Sequence, residues 1–156
     1  MRHRAIALAA LPMAVAAAAL AGMPGTAHPQ GAATTLTLVE QEGSARFIDN
    51  PPRHGKRRPP STGDQLILTG VDFDASGRKR LGRSYLSCTF IGRNTMSCTG
   101  TIDLVDGQLT IQGVARDEKT TVVAVTGGTG RYAGAHGTMS ITETGERETA
   151  VITLQP

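Results

Sequence analysis

The chain has 156 residues, with 16 Lys and Arg, 13 Asp and Glu, and a formal net charge of +3. Aromatic residues make up 3% of the sequence and tryptophan is absent. Such a small charge and so few side chains able to stack on bases argue against a nucleic-acid partner. The length suits one domain with a single core.

The first 27 residues are predicted to be removed before the protein folds. Arg2 and Arg4 precede an alanine-dominated apolar run, and small residues follow it, a pattern typical of a secretory signal peptide. The run is short and weakly hydrophobic for a membrane span, and no nearby cysteine accepts a lipid. We therefore expect a secreted, extracellular protein without a membrane span. Its mature chain begins with a flexible N-terminus at 28–33 and is close to neutral.

Residues 34–156 are predicted to form one all-β domain, because polar and apolar residues alternate there with the two-residue period of strands. About eight short strands separated by Asp- and Gly-rich turns indicate a closed barrel or a sandwich. Closure would remove the exposed edges of a threonine-rich sheet. The predicted segments are 34–40, 46–49, 64–73, 82–91, 95–104, 108–115, 120–126, 138–144 and 148–154.

One long polar segment, residues 50–63, interrupts this pattern. Its sequence, NPPRHGKRRPPSTG, places proline pairs on either side of a basic cluster. Proline makes such a segment semi-rigid and the charges favour solvent, so we expect a surface loop. A salt-sensitive contact with an anionic surface is the functional alternative.

Both cysteines lie in one predicted hairpin whose turn contains Gly92. If Phe90 faces Met96 across this hairpin, then Cys88 faces Cys98. In an oxidising compartment the pair is expected to form a disulfide. It closes a small loop, so we interpret it as a staple for strand register. A redox or nucleophilic role for these cysteines is the alternative.

A glycine-rich segment, residues 122–137, has the sequence VVAVTGGTGRYAGAHG. Glycines permit positive φ or close backbone approach, and Tyr132 supplies an apolar anchor before the chain turns back. A phosphate-binding loop is disfavoured because no Gly-Lys-Ser/Thr follows and no helical pattern begins there. The segment therefore predicts a barrel corner. Its structural glycines are Gly127, Gly128, Gly130, Gly134 and Gly137.

The order of four motifs resembles the allene oxide cyclase-like barrels. The motifs are GDQL at 63–66, GRKRLG at 77–82, Cys88, and VTGGTGRYAGAHG at 125–137. The chain is most similar to the small secreted bacterial members of this group, which are related to plant allene oxide cyclases and to dirigent proteins. The resemblance implies an eight-stranded antiparallel β-barrel with a central cavity.

The residues that the resemblance assigns to cyclase chemistry are replaced in this chain. Alignment of the first strand places Thr37 and Val39 where plant allene oxide cyclases carry a carboxylate and an amide, and Ile67 stands at the proline position. Glu40 is the nearest carboxylate, and in this alignment it points to the opposite face from Thr37. Cys88 matches the cavity cysteine of the cyclases, but a disulfide would occupy its thiol.

The dirigent resemblance also departs from its pattern, since Ala133 and His136 stand where dirigent proteins carry arginines. Candidate acid–base residues are Glu40, Tyr132 and His136, provided that they meet at a barrel mouth. His136 is otherwise a surface turn residue. Neither subfamily's chemistry is supported by its own residues.

No cofactor and no metal are expected. The mature chain contains His28, His54 and His136, which are too scattered in the sequence to suggest a metal site. Asp64, at the start of a strand, is interpreted as a turn or mouth residue.

Three functions remain open. The first is a barrel that binds a small apolar ligand in its lumen with little or no catalysis. The second is a cofactor-free isomerase or cyclase, or a protein that directs the stereochemistry of a secondary metabolite. The third is a structural module that forms homo-oligomers, as dimers or trimers. For the first two, the predicted ligand-lining residues are Leu86, Phe90, Met96, Ile102 and Leu104.

Overall fold

The computed structural model describes residues 32–51, 59–145 and 147–156. Over this part of the chain, eight antiparallel strands follow one another around a closed barrel, and β1 pairs with β8 to complete it. The all-β barrel predicted from the sequence is confirmed. Its elements are β1 Thr34–Ile48, β2 Gln65–Phe73, β3 Arg80–Gly92, β4 Thr95–Leu104, β5 Gly107–Arg116, β6 Thr120–Gly128, a short 3₁₀ helix Gly130–Tyr132, β7 Gly137–Thr144 and β8 Arg147–Leu154.

The first strand is longer than predicted. The segments 34–40 and 46–49 belong to one strand, β1, whose register against β2 shifts between Glu42 and Ser44. Gly43 is the extra residue of this bulge, which bends the strand without ending it. The two predicted segments are therefore one strand with a bulge between them. The other predicted strands agree with the structure to within two residues at each end.

The inward face of the barrel forms the core. Alternate residues of each strand point into the lumen, as the pleat of a strand requires. Leu109, Ile102 and Ile152 are fully buried there. The buried apolar cluster consists of Leu38, Ile102, Leu104, Leu109, Ile111, Val123, Val125, Met139, Ala150 and Ile152.

The cysteine hairpin has the predicted register. Phe90 pairs with Met96 and Cys88 pairs with Cys98 in β3 and β4. The two cysteines form a disulfide with a Cα–Cα distance of 4.0 Å. Their exposed fractions are 2% and 6%, so the disulfide lies on the inner side of the hairpin.

The glycine-rich segment forms the corner between β6 and β7. Gly128 packs so closely that a Cβ there would lie 2.6 Å from the Gln108 carbonyl oxygen. Gly130 has a φ of 58°, and a Cβ there would lie 2.5 Å from the Asp106 carbonyl oxygen. Only glycine fits both sites without displacing backbone. Tyr132 packs against the core, so the corner is fastened to the barrel as predicted.

Asp64 anchors the loop between β1 and β2 at its two ends. Its side chain is buried and accepts hydrogen bonds from the backbone N–H groups of Asn50, at 2.9 Å, and Ser61, at 2.8 Å. The Ser61 hydroxyl also donates to it, at 3.1 Å. Asp64 is thus a loop anchor. The predicted basic cluster of this loop, residues 53–58, and the predicted signal peptide and N-terminus, except for residues 32 and 33, lie outside the described residues.

Candidate functional site

The barrel lumen contains a cavity of about 320 Å³ near the turn between β7 and β8. Its inner wall is apolar and its rim is charged. Leu68, Leu86, Ile102, Ile111, Met139 and Ile141 supply the apolar wall, and Glu40, Glu42, Glu143, Arg147 and Glu148 supply the charged groups. A cavity of this size and character suits one small organic molecule.

A larger depression of about 530 Å³ is lined mainly by outward-facing side chains of β2 to β6. Threonines dominate its lining, and Tyr85 is its only titratable side chain. It therefore offers little chemistry, and the lumenal cavity is the candidate site.

Glu40 points into the lumen, on the opposite face of the first strand from Thr37, as the sequence predicted. Leu38 is buried and pairs with Ala150 on the inner face, and Glu40 is the next residue along that face. Thr37 and Val39, which the alignment placed at the catalytic positions, alternate with Leu38 and Glu40 and lie on the outer face.

Space for the Glu40 side chain comes from Gly70 on the neighbouring strand. A Cβ at Gly70 would lie 2.5 Å from the carboxyl carbon of Glu40. Glu40 itself pairs directly with Asp72 across β1 and β2. The missing side chain thus lets the Glu40 carboxyl group lie along β2, beside a second carboxyl group.

Asp72 and Ser84 form a buried hydrogen-bonded pair beside Glu40. Each has an exposed fraction of 1%. The Ser84 hydroxyl lies 2.9 Å from Oδ1 and 2.8 Å from Oδ2 of Asp72. Ser84 lines the cavity, whereas Asp72 is buried and is not part of the lining.

Burial raises the pKa of Glu40 to about 7, and the negative charges of Asp72 and then Glu148 add to the effect. The interaction with the Ser84 hydroxyl acts in the opposite direction. Burial also raises the pKa of Asp72 and of Glu148, and Glu143 adds to the shift of Glu148. A carboxyl group that titrates near neutral pH exchanges protons readily and is suited to general acid–base work.

The rim carboxylates face one another directly. Glu148 pairs across strands with Glu40 on one side and with Glu143 on the other. Like charges at directly opposed positions destabilise a sheet. Of the residues that the structure describes, Arg147 is the only basic one that lines the cavity. The cluster therefore opposes folding stability, which is a property frequently found at functional sites.

The other two candidate acid–base residues lie elsewhere. Tyr132 and His136 belong to the β6–β7 corner, and neither lines the cavity. His136 is exposed, and its Nδ1 lies 3.3 Å from the Gly134 carbonyl oxygen. Tyr132 is partly buried against the core. The structure therefore does not assemble these two residues with Glu40 at one mouth.

The predicted lining residues divide into two groups. Leu86 and Ile102 line the cavity. Leu104 belongs to the packed core, and Phe90 packs edge to face against Phe47 with ring centroids 6.2 Å apart. Met96 lies opposite Phe90 and outside the cavity lining.

Sequence reasoning missed most of the polar site, namely Glu42, Asp72, Ser84, Glu143 and Glu148. The available signal was the alternation of each strand, because all five occupy inward positions in the register. Finding them required the pairing of distant strands.

Among the described residues, no group of His, Cys, Asp or Glu side chains is arranged to hold a metal ion. The same part of the chain has no helix long and apolar enough to cross a membrane.

No protein-family profile and no curated protein sequence matches this chain. Solved structures do match it. A pyocyanin demethylase superposes with a TM-score of 0.65 and 23% identity, over 78% of this chain and 99% of that one. A pterocarpan synthase dirigent protein gives 0.64 and 16%, over 80% and 86%.

A Diels–Alderase from Streptomyces koyangensis gives a TM-score of 0.61 and 19% identity, over 78% of this chain and 63% of that one. Similarity at these identities establishes the fold. The chain has the eight-stranded barrel that dirigent proteins and Diels–Alderase barrels share, as the motif resemblance predicted.

Proposed function

We propose that this protein is a secreted barrel that binds a small organic molecule in its lumen. The observation that carries the proposal is the cavity of about 320 Å³, which combines an apolar wall with a rim of carboxylates. Burial of an apolar ligand surface provides affinity, and a few polar groups at one end fix the orientation.

The charges of the rim narrow the class of ligand. Glu42, Glu143 and Glu148 line one mouth, and Arg147 is the only base in the lining over the described part of the chain. A ligand with an apolar body and a basic or hydrogen-bond-donating end fits this arrangement. An anionic ligand of the same shape is repelled, since the lumen screens charge poorly.

Cofactor-free catalysis, such as isomerisation, cyclisation or stereochemical direction of a coupling, is the second candidate function. One observation favours it: Glu40 lines the cavity and has a pKa of about 7. Barrels of the same fold include a Diels–Alderase and a dirigent protein, which supports chemistry inside such a lumen. In this reading Glu40 donates or accepts the proton, and the apolar wall folds the reactive chain.

A matched ligand series tests the binding proposal. Isothermal titration calorimetry of the mature protein with 1-naphthylmethylamine, 1-naphthalenemethanol and 1-naphthoate compares a cation, a neutral molecule and an anion of one shape. We expect the amine to bind best and the carboxylate not to bind.

Ile141→Trp should abolish binding by filling the mouth of the cavity, whereas Val122→Trp, on the exposed outer face, should leave it intact. Equal binding by the two tryptophan variants would contradict a lumenal site.

Secretion is part of the proposal. It is supported by the N-terminal signal pattern and by the disulfide, which is typical of oxidising compartments. Native mass spectrometry of protein collected from the culture medium of its own host tests it. A mature chain that begins near residue 28 is expected, and the same spectrum gives the oligomeric mass. Uncleaved protein confined to the cells would contradict secretion.

A further inference from the structure

We propose that Glu40, Ser84 and Asp72 work as one unit that holds a single proton between two carboxyl groups, with Glu40 as the member that exchanges it with the ligand. The inference rests on the proposed lumenal site and deepens it, because it assigns to that site a ligand class that carries a proton-accepting atom. Ser84 and Asp72 are positioning residues in this unit.

Three neighbouring strands bring the groups together. Glu40 on β1 pairs with Asp72 on β2, and Ser84 on β3 pairs with Gly70 on β2. Because Gly70 has no side chain, the Glu40 carboxyl group occupies the space above it. The Ser84 side chain therefore lies next to both carboxyl groups, that of Glu40 on β1 and that of Asp72 on β2.

The number of hydrogens in this unit favours one shared proton. Ser84 has a single hydroxyl hydrogen, and its oxygen lies within 2.9 Å of both Asp72 carboxyl oxygens. The Glu40 carboxyl group lies over Gly70, the residue directly opposite Ser84, and so lies next to the same serine. If both carboxyl groups are ionised, one hydrogen serves two negative groups. If one is protonated, that acid donates to the serine oxygen and the serine donates to the other carboxylate, so each group has a partner.

The surrounding charges act in the same direction. Glu42 lies on the same strand as Glu40, Glu148 faces Glu40 from β8, and Glu143 faces Glu148 from β7. Among the described residues that line the cavity, Arg147 is the only cation. This excess of negative charge disfavours the doubly ionised state of two adjacent carboxyl groups.

The position of each group relative to the cavity gives the unit a direction. Glu40 and Ser84 line the cavity, whereas Asp72 is buried and does not line it. In the proposed step the O–H bond of Glu40 breaks and a bond from that hydrogen to a basic atom of the ligand forms. Both carboxyl groups are then ionised. Return of a proton from another atom of the ligand restores the unit, so the cycle balances.

A carboxyl-resolved NMR pH titration of the ligand-free mature protein tests the shared proton. With ¹³C-labelled Asp and Glu carboxyl carbons, we expect Asp72 to report a second step at the midpoint of Glu40. In Asp72→Asn the Glu40 midpoint should fall from about 7 toward 4.5, because the neighbouring charge is removed. Asp74→Asn, in the exposed β2–β3 turn, is the matched control and should change neither titration.

Ser84→Ala distinguishes the effect of the serine hydroxyl on the pKa of Glu40 from the effect of burial. Loss of the hydroxyl should raise the Glu40 midpoint and weaken the second step in the Asp72 curve. If Asp72→Asn does not fold, Glu40→Gln replaces it, and Asp72 should then titrate in a single step with a lowered pKa. Independent single-step curves for Glu40 and Asp72 in the wild type would overturn the proposal. An unchanged Glu40 midpoint in Asp72→Asn would also overturn it.

This titration requires no ligand, so the two proposals fail separately. A shared proton together with no binding of the naphthalene series overturns the lumenal binding function and keeps the proton-sharing unit. Binding of the series without a shared proton overturns the proton-sharing unit and keeps the lumenal binding function.

Discussion

The packed part of the lumen and its acidic part are built by the same strands and serve opposite purposes. β1 contributes buried Leu38 and, two residues later on the same face, Glu40. β8 contributes fully buried Ile152 and, toward the β7–β8 turn, Glu148. A single alternating pattern therefore makes core at one end and a charged cavity at the other.

The two parts have opposite effects on the free energy of folding. Buried aliphatic side chains stabilise the barrel by removing apolar surface from water. Neighbouring partly buried carboxyl groups destabilise it, since burial and like charges oppose their ionisation. Such a cluster is expected where a ligand or a reaction uses it, and the packed end supplies the stability that tolerates it.

The largest expected effect tests the packed part. Leu109→Ala removes a fully buried side chain and should lower the free energy of unfolding by about 2–5 kcal/mol, the usual range for such cavities. Urea denaturation measures it. Val122→Ala, at a position that is 61% exposed, should change stability by less than about 0.5 kcal/mol. Similar losses in both variants would show that the packed end is not the source of stability.

The disulfide stabilises the packed interior in a different way. It restricts the unfolded chain, whereas the buried side chains act through contacts in the folded state. The cysteines are 10 residues apart, so loop closure predicts a stabilisation of roughly 2.5 kcal/mol. The double variant Cys88→Ala, Cys98→Ala should lose about that amount in urea denaturation. Reduction of the wild type should reproduce most of the loss. An unchanged urea midpoint in both experiments would contradict a stabilising role for the disulfide.

Glu40→Gln should increase the stability of the fold at high pH, whereas the variants above decrease it. The pKa of Glu40 is about 7 in the fold against a usual 4.5, so its stabilising contribution is present below 4.5 and is lost as pH rises through 7. The variant should therefore be more stable than the wild type at pH 8, by roughly 2 kcal/mol, and similar to it at pH 4. Thermal unfolding at the two pH values measures this. Exposed Glu118→Gln is the control, and a Glu40→Gln variant that is less stable at pH 8 would contradict the account.

The smallest expected effect lies on the outside of the packed end. Arg131 and Asp106 form an ion pair at 3.5 Å, with side chains that are 70% and 54% exposed. Surface pairs of this kind contribute about 0–1 kcal/mol. Arg131→Ala should therefore leave the urea midpoint nearly unchanged, and a loss comparable to that of Leu109→Ala would show that the corner depends on this pair.

The sequence was sufficient for features that depend on local pattern. Alternation and turn residues located seven of the eight strands, and symmetry about Arg93 fixed the pairing of Cys88 with Cys98. The bulge at Gly43 was not predicted, because glycine occurs at turns and at bulges alike.

The candidate site was less accessible from the sequence. The face that Glu40 occupies depends on a register in which a displacement of one residue exchanges inside and outside. Asp72 and Glu148 reach Glu40 from β2 and β8, so only closure of the barrel brings them together.

The central claim is that the acidic end of the lumen, rather than the outer face, receives a ligand. Methyl and carboxyl NMR shift mapping of the mature protein with 1-naphthylmethylamine tests it most directly. We predict that shifts change at Met139, Ile141 and Glu40, which line the cavity. Changes confined to the outer depression around Tyr85, with Met139 and Glu40 unaffected, would contradict the account.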